Sequence, residues 1–453
     1  MTQAAGTGAA AEQEAAVERL RALLRFPTVS RIEPDATDWA AFDALLEALP
    51  GLYPRAHEVL DRELVAGRTA LYRWPGREAG QPAVLLAHYD VVPADGEGWT
   101  HPPFAGEVTG EGTDRVVWGR GALDMKGVLA SLLGAVERLA AQGFRPRHDV
   151  YLHFGHEEEI AGPAAPAVVS LLRSRGARPR LVLDEGGAVV EGILPGVRVP
   201  LAVVGVAEKG IATVVLRVSE PGGHAAMPPR VTATARLARA VARLDRHPHP
   251  ARVDATMRRM LAAVAPHAGP PHRWVYENLR VTGRPLAALL ARAGGVPAAF
   301  VRTTQAVTQL RGSAAPNVLA EDAAAAVNVR VAPGSTVEAA VGHIRRAVRD
   351  AGVAVEVVQA TEPSAVSPAE GEVWNLLSAT VAEVFPEAVV VPYVMLQASD
   401  SRHYCAISDG VYRFQPFDLT AEERATLHAR DERIRVPTYL RALDFHAALL
   451  RRL

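Results

Sequence analysis

Five positions spread over almost the whole of this 453-residue chain each stand at the end of an apolar stretch and carry a histidine or an acid. They are His88, Asp124, Glu159, Glu185 and His428, and Glu158 sits beside the third. The stretches around them alternate in kind. Residues 59–72, 83–88, 149–154 and 181–183 have the short apolar content of strands, whereas 17–24, 127–141 and 163–175 have helical spacing. Strand and helix in alternation predict a parallel or mixed sheet covered by helices. Sites in such sheets form at the carboxyl ends of the strands. His88, the Glu157-Glu158-Glu159 run and Asp184-Glu185 all fall just there.

From Lys209 the order changes. Residues 211–218, 301–310, 323–331 and 353–358 read as strands, and 232–244 and 337–351 as helices. That β-α-β-β-α-β order is the ferredoxin-like one. It is interrupted by an insertion near 247–300 rich in proline, histidine and alanine. The chain is therefore α/β in class. A mixed-sheet domain covered by helices is expected from residues 1–207 and 363–453, and a ferredoxin-like α+β domain, residues 208–362, is inserted into it.

Hydrophobic residues make up 49% and charged residues 22%, which suits a large buried core. Lys plus Arg number 49 against 50 for Asp plus Glu, so no nucleic-acid partner held by bulk charge is expected. No apolar run is long enough to span a membrane. Residues 1–16 lack the basic start and apolar run of a signal peptide, and residues 1–10 read as disordered. The single cysteine, Cys405, cannot form an intrachain disulfide. It suits a reducing, cytoplasmic compartment and the role of a small buried hydrophobe.

Neutral imidazoles and carboxylates, few in number and anchored on rigid strand ends, are how a pair of zinc ions is held. His88 closes the apolar run Leu85-Leu86-Ala87, and Asp90, two residues on, points the same way along an extended chain. Its carboxylate could orient the imidazole through the second ring nitrogen; a turn histidine beside a solvated aspartate would read the same. Asp124 follows a glycine-rich turn at the start of a helix, where an ordinary N-cap aspartate also belongs. Three carboxylates at Glu157-Glu158-Glu159 are costly after an apolar strand unless positive charge lies nearby, although a solvated surface run is the alternative. Asp184-Glu185 and His428 would each be weak signals alone. In the second domain, His224 follows the turn Pro221-Gly222-Gly223, Asn317 follows Pro316, and Arg330 ends a strand. Arg402, in Asp400-Ser401-Arg402, is a further candidate substrate contact. His101, His153 and His156 are ligands by type but read as structural or solvated.

Taken together, the motifs resemble the dinuclear zinc peptidase and amidohydrolase family of aminoacylase, acetylornithine deacetylase, succinyl-diaminopimelate desuccinylase and the glutamate-releasing carboxypeptidases. The resemblance spans residues 17–450, with five motifs in family order. Asp184-Glu185-Gly186-Gly187, Glu208-Lys209-Gly210 and Tyr412-Arg413-Phe414 lean toward its carboxypeptidase S and N-acyl-amino-acid hydrolase branch. The resemblance implies two zinc ions per subunit. His88, Asp124 and Glu185 would hold one, and Asp124, Glu159 and His428 the other, with Asp184 the alternative to Glu185. It implies Glu158 as general base, Asp90 as the support of His88, His224 and Asn317 as contacts to a tetrahedral oxyanion, and Arg330 as the holder of a substrate carboxylate. It further implies a homodimer whose partner supplies the histidine, and an inserted domain that serves as lid and dimerisation surface. Cobalt or manganese would suit the same ligands.

Two such metals polarise a carbonyl and bind the attacking hydroxide together. The expected reaction is hydrolysis of an amide next to a free carboxylate, in an N-acyl amino acid or at a peptide C-terminus. The nearest rival is a dipeptidase or a deacylase of a biosynthetic intermediate such as acetylornithine or succinyl-diaminopimelate. A rival of another class is a non-catalytic small-molecule binding protein that keeps the fold. It is disfavoured because every expected metal position carries a competent ligand.

Overall fold

The strand Ala83–His88 is buried along its whole length, as a strand covered on both faces must be. It lies inside a ten-stranded sheet, parallel to Val150–Gly155 on one side and to Leu181–Asp184 on the other. Side-chain alternation divides it between two cores. Leu85 and Ala87 join the large cluster with Leu129, Leu133 and Leu152, whereas Val84 and Leu86 join Val168, Leu172 and Tyr404 on the opposite face. The buried helix Lys126–Ala141 covers the first face and Ala164–Ser174 the second. The computed structural model from which these relations are read describes residues 2–453.

Beyond Val150–Gly155 the sheet continues antiparallel through Thr69–Trp74 to Asp61–Val65. The single strand expected at 59–72 is thus a hairpin, turned by Ala66 and Gly67 at positive φ. Beyond Leu181–Asp184 come Val411–Arg413, parallel to it, and then Leu201–Glu208, which pairs in parallel with Val389–Met395. The first helix spans Thr2–Leu24. Residues 1–9, on which most of the disorder expected at 1–10 falls, lie outside the residues whose side chains are described. Among the described residues, no helix is long and apolar enough to cross a membrane.

A second, four-stranded sheet runs in the order Thr304–Arg311, Asp322–Val331, Gly210–Ser219, Ala354–Thr361, all antiparallel. The helices Ala233–Arg246 and Val337–Val348 cover one face and close a separate apolar core. This is the ferredoxin-like arrangement. The strand expected from 301 starts only at Thr304, because Gly295–Val301 is helical. The 247–300 segment folds into helices, among them Ala255–Val264, Pro270–Glu277 and Leu279–Ala293. Their buried Met257, Met260, Leu261 and Tyr276 belong to the core of the large sheet, not to that of the small one.

The chain passes between the sheets twice, at Glu208-Lys209-Gly210 and again just after Thr361. The crossings lie side by side. Ser364 donates its amide to the Glu208 carbonyl at 3.1 Å and accepts the Glu208 amide on Oγ at 2.8 Å. Ser367 adds an amide bond to the Val206 carbonyl at 2.8 Å.

Candidate metal centre

Parallel strands that end in register bring their last residues together. His88 pairs with Gly155, so the turn carrying Glu157, Glu158 and Glu159 begins beside it. Leu181–Asp184 ends on the other side and leads straight to Glu185. Two more segments complete the group: the turn before Lys126–Ala141, which carries Asp124, and the loop that carries His428.

His88 Nε2 lies 3.0 Å from Asp124 Oδ1, 3.7 Å from Glu185 Oε1 and 4.0 Å from Glu158 Oε2. His428 Nε2 lies 3.0 Å from Asp124 Oδ2 and 3.2 Å from Glu159 Oε2. Two triads result, His88–Asp124–Glu185 and Asp124–Glu159–His428, and each offers ligand atoms within 4.8 Å of one another. Asp124 is common to both and presents a different oxygen to each. The donor set is imidazole nitrogen and carboxylate oxygen, which suits zinc, cobalt or manganese. Glu159 Oε1 is buried and has no hydrogen-bond partner among the described residues. A buried carboxylate oxygen left without a partner beside an acidic cluster is what a bound cation would satisfy.

The electrostatics point the same way. Burial, then the neighbouring Glu185 charge, pushes the Glu158 carboxyl well above its ordinary range. Burial, then Asp124, does the same to Glu185. Burial would also raise Asp124, but hydrogen bonds from His428 and His88 outweigh it and hold that carboxyl low. Hydrogen bonds to Asp124 and Glu159 raise His428 to about 10. The cluster thus has more negative charge than two imidazolium protons can balance, and divalent cations would displace those protons.

The supports of these side chains differ in part from expectation. His88 Nδ1 donates to the backbone carbonyl of Asp90 at 2.9 Å, while the Asp90 carboxylate stands 3.4 Å away. That carboxylate is already engaged by the Ser30 hydroxyl at 2.8 Å and by the amides of Glu158 and Glu159 at 3.2 and 3.1 Å. It therefore fixes the acidic turn as well as facing the histidine. Of the pair Asp184-Glu185, only Glu185 turns toward His88. Asp184 accepts from the amides of Glu185 and Ser401.

Four further residues belong here that sequence motifs did not single out. Glu432 is fully buried and accepts from the amides of Gly121, Leu123 and Asp124 at 3.1, 2.8 and 3.1 Å, so it shapes the turn that aims Asp124. Its ion-pair partner Arg120 also donates to the Ala429 carbonyl, next to His428. Gln415 bridges the Leu123 carbonyl and Glu185 Oε2. Asp400 is a half-buried residue whose charge raises Glu158 further. Glu432 and Asp400 lie near the candidates His428 and Arg402 in the sequence, and that nearness was their only signal; Gln415 had none.

The remaining expected residues lie apart from the triads. His224 and Asn317 share a small two-stranded bridge: Ala225 donates to the Asn317 carbonyl at 3.0 Å, and His224 Nδ1 accepts from the Ala226 amide. Both side chains are exposed and neither bonds to the cluster among the described residues. Arg330 is half-buried on Asp322–Val331 and donates to Asn328 Oδ1. Arg402 donates to the Glu362 carbonyl at 3.0 Å. His101, His153 and His156 bond to Glu107, Tyr404 and Thr69.

Residues 84–452 match the model of peptidase family M20/M25/M40. A probable carboxypeptidase S-like 2 of Dictyostelium discoideum is 33% identical over 442 residues, which is 96% of this chain and 84% of that one. An N-fatty-acyl-amino acid synthase/hydrolase, PM20D1.1 of Danio rerio, is 34% identical over 97% of this chain and 86% of its own. Among solved structures, an M20 family metallo-carboxypeptidase, Sso-CP2 of Sulfolobus solfataricus, superimposes with a TM-score of 0.68. It is 17% identical and covers 96% of this chain and 98% of that one.

Proposed function

Because this chain belongs to peptidase family M20/M25/M40 and is a metallohydrolase, we propose that it cleaves the amide of an N-acyl amino acid or the last peptide bond of a peptide, next to a free carboxylate. Two zinc ions are its proposed cofactors, one at His88–Asp124–Glu185 and one at Asp124–Glu159–His428. The observation that carries this reading is the sharing of Asp124 between two triads with Glu158 beside them. When bound, the ions supply Lewis-acid polarisation of the carbonyl and a water acidic enough to lose its proton near neutral pH.

The chain's own residues do the rest. Glu158 accepts the proton of the attacking water and delivers it to the leaving nitrogen, a role supported by its place beside both triads. The Asp90 backbone carbonyl, accepting from His88 Nδ1, keeps the imidazole facing the cluster. Arg330, with Arg402, receives the substrate carboxylate, where a guanidinium can bind both oxygens. His224 and Asn317 are assigned to the developing oxyanion in a homodimer; their exposure on the small domain suits contact with a second subunit. Residues 208–362 are read as the lid, with the 247–300 helices docked on the catalytic unit. A cytoplasmic site of action is part of the proposal, supported by the lone cysteine.

The test is a panel of N-acyl amino acids, their carboxamides and dipeptides, given to protein loaded with zinc, cobalt or manganese. Release of the amino acid from acids but not carboxamides is the expected result. Faster cleavage of dipeptides would move the reading to a dipeptidase. Metal bound without turnover of any member would leave only a binding protein.

A further inference from the structure

The three strings Asp184-Glu185-Gly186-Gly187, Glu208-Lys209-Gly210 and Tyr412-Arg413-Phe414 meet at one place in the fold. Glu208 and Arg413 are both fully buried, and Arg413 Nε donates to Glu208 Oε1 at 2.7 Å. A buried pair repays little of its desolvation, so stability alone does not account for it. The rest of the Glu208 carboxylate is taken up by one turn. It accepts from the Ser399 amide and hydroxyl, each at 3.2 Å, and from the Ser401 hydroxyl at 3.3 Å. Asp184 accepts the Ser401 amide at 2.8 Å. All three strings therefore hold the Ser399-Asp400-Ser401-Arg402 turn.

That turn carries Arg402, whose Nη1 is 3.9 Å from Glu208 Oε2 and whose Nη2 is anchored on the Glu362 carbonyl. Glu362 directly follows Thr361, and Thr361 pairs with Ile211. On its other side Ile211 pairs with Arg330. The two guanidinium-bearing residues thus flank one strand at the end of the small sheet where the chain crosses from the large one. Burial, then the Arg402 charge, lowers the pKa of Arg330. Two like charges held at this junction are unfavourable until an anion joins them.

We propose that Glu208, backed by Arg413, is a positioning residue that sets Arg402 opposite Arg330 as two halves of one receptor for the substrate's free carboxylate. This rests on the amide-hydrolase reading above. Glu208 touches no reacting atom and acts through Arg402.

The experiment is steady-state kinetics of the metal-loaded full chain on an N-acyl amino acid and its carboxamide. Glu208→Gln is expected to raise KM for the acid about tenfold, to change kcat less than about threefold and to leave the carboxamide's kcat/KM unmoved. In an Arg402→Ala background the same substitution should add little, because both remove one interaction. Equal damage to acid and carboxamide, or full additivity with Arg402→Ala, overturns the proposal. Should Glu208→Gln fail to fold, the Ser399→Ala, Ser401→Ala double variant removes its hydroxyl partners without stranding a charge. It must give the same split, and a uniform loss of kcat overturns the proposal. Absence of wild-type turnover on any acid overturns the hydrolase reading, and this proposal with it.

Discussion

As the proposed base, Glu158 would have to satisfy two demands that conflict. It would need to be buried enough to hold a proton in transit, yet close enough to the cluster to reach the attacking water. Its side chain, only 15% exposed, fits the first demand, and its 4.0 Å approach to His88 Nε2 fits the second. Glu158→Gln should keep both metals, measured by elemental analysis, and lower kcat by roughly 10²–10⁴; retained turnover would remove Glu158 from the proton path. Arg330→Ala should raise KM for free-carboxylate substrates while leaving carboxamide binding alone, read from paired kinetics. Equal effects on both would end its assignment to the carboxylate. At this scale the sequence was informative where chemistry needs a rare residue type. His88 and His428 stand out because few other side chains bind zinc through nitrogen. Glu432 was silent for the opposite reason. It works on backbone amides of Gly121, Leu123 and Asp124, and amides leave no trace in residue identity.

Strand ends, more than individual ligands, decide whether the site forms. Leu181–Asp184 must stop where Glu185 can turn toward His88, and the chain then returns through Gly186 and Gly187 to Val189–Val190. A Cβ at Gly187 would lie 1.7 Å from the Val203 carbonyl oxygen and 3.0 Å from that of Arg413. Backbone on both sides leaves no flexible group to yield. Gly187→Ala should therefore lower Tm and weaken metal binding at the His88 side, checked by thermal melts with and without zinc. A normal Tm with normal metal content would contradict this packing argument. Most strands and helices were readable from apolar period, because buried strands and amphipathic helices must carry it. The hairpin at 61–74 and the helices of 247–300 were not. Ala66 turns the hairpin without a glycine-asparagine signal, and the inserted helices bury their apolar faces on a core far away in sequence.

For the molecule as a whole, acid should be the weak side of stability. His153 and His446 are buried, and burial depresses both to about 3. An unfolded histidine titrates near 6.5. Below that pH the unfolded chain takes up protons that the folded chain refuses, so stability is kept above 6.5 and lost as pH falls toward 3. The loss should reach roughly 2 kcal/mol per histidine by pH 5. Melts at pH 7 and pH 5 should show the drop, and His446→Gln should make it shallower; an unchanged pH slope would exclude His446 as a source.

The flanking histidines of the cluster differ in access to solvent: the side chain of His88 is 2% exposed and that of His428 54%. One ion would be sealed beneath the sheet edge, whereas its twin would sit behind a single open door. Dilution or a mild chelator should therefore strip the protein in two kinetic phases, with the His428 ion leaving first. Purified material could then be half-loaded and inert while still resisting heat, since the retained ion alone stabilises by about 3 kcal/mol at a hundredfold excess over its Kd. Single-phase release of both ions would show that the two seats trade with the surroundings as one.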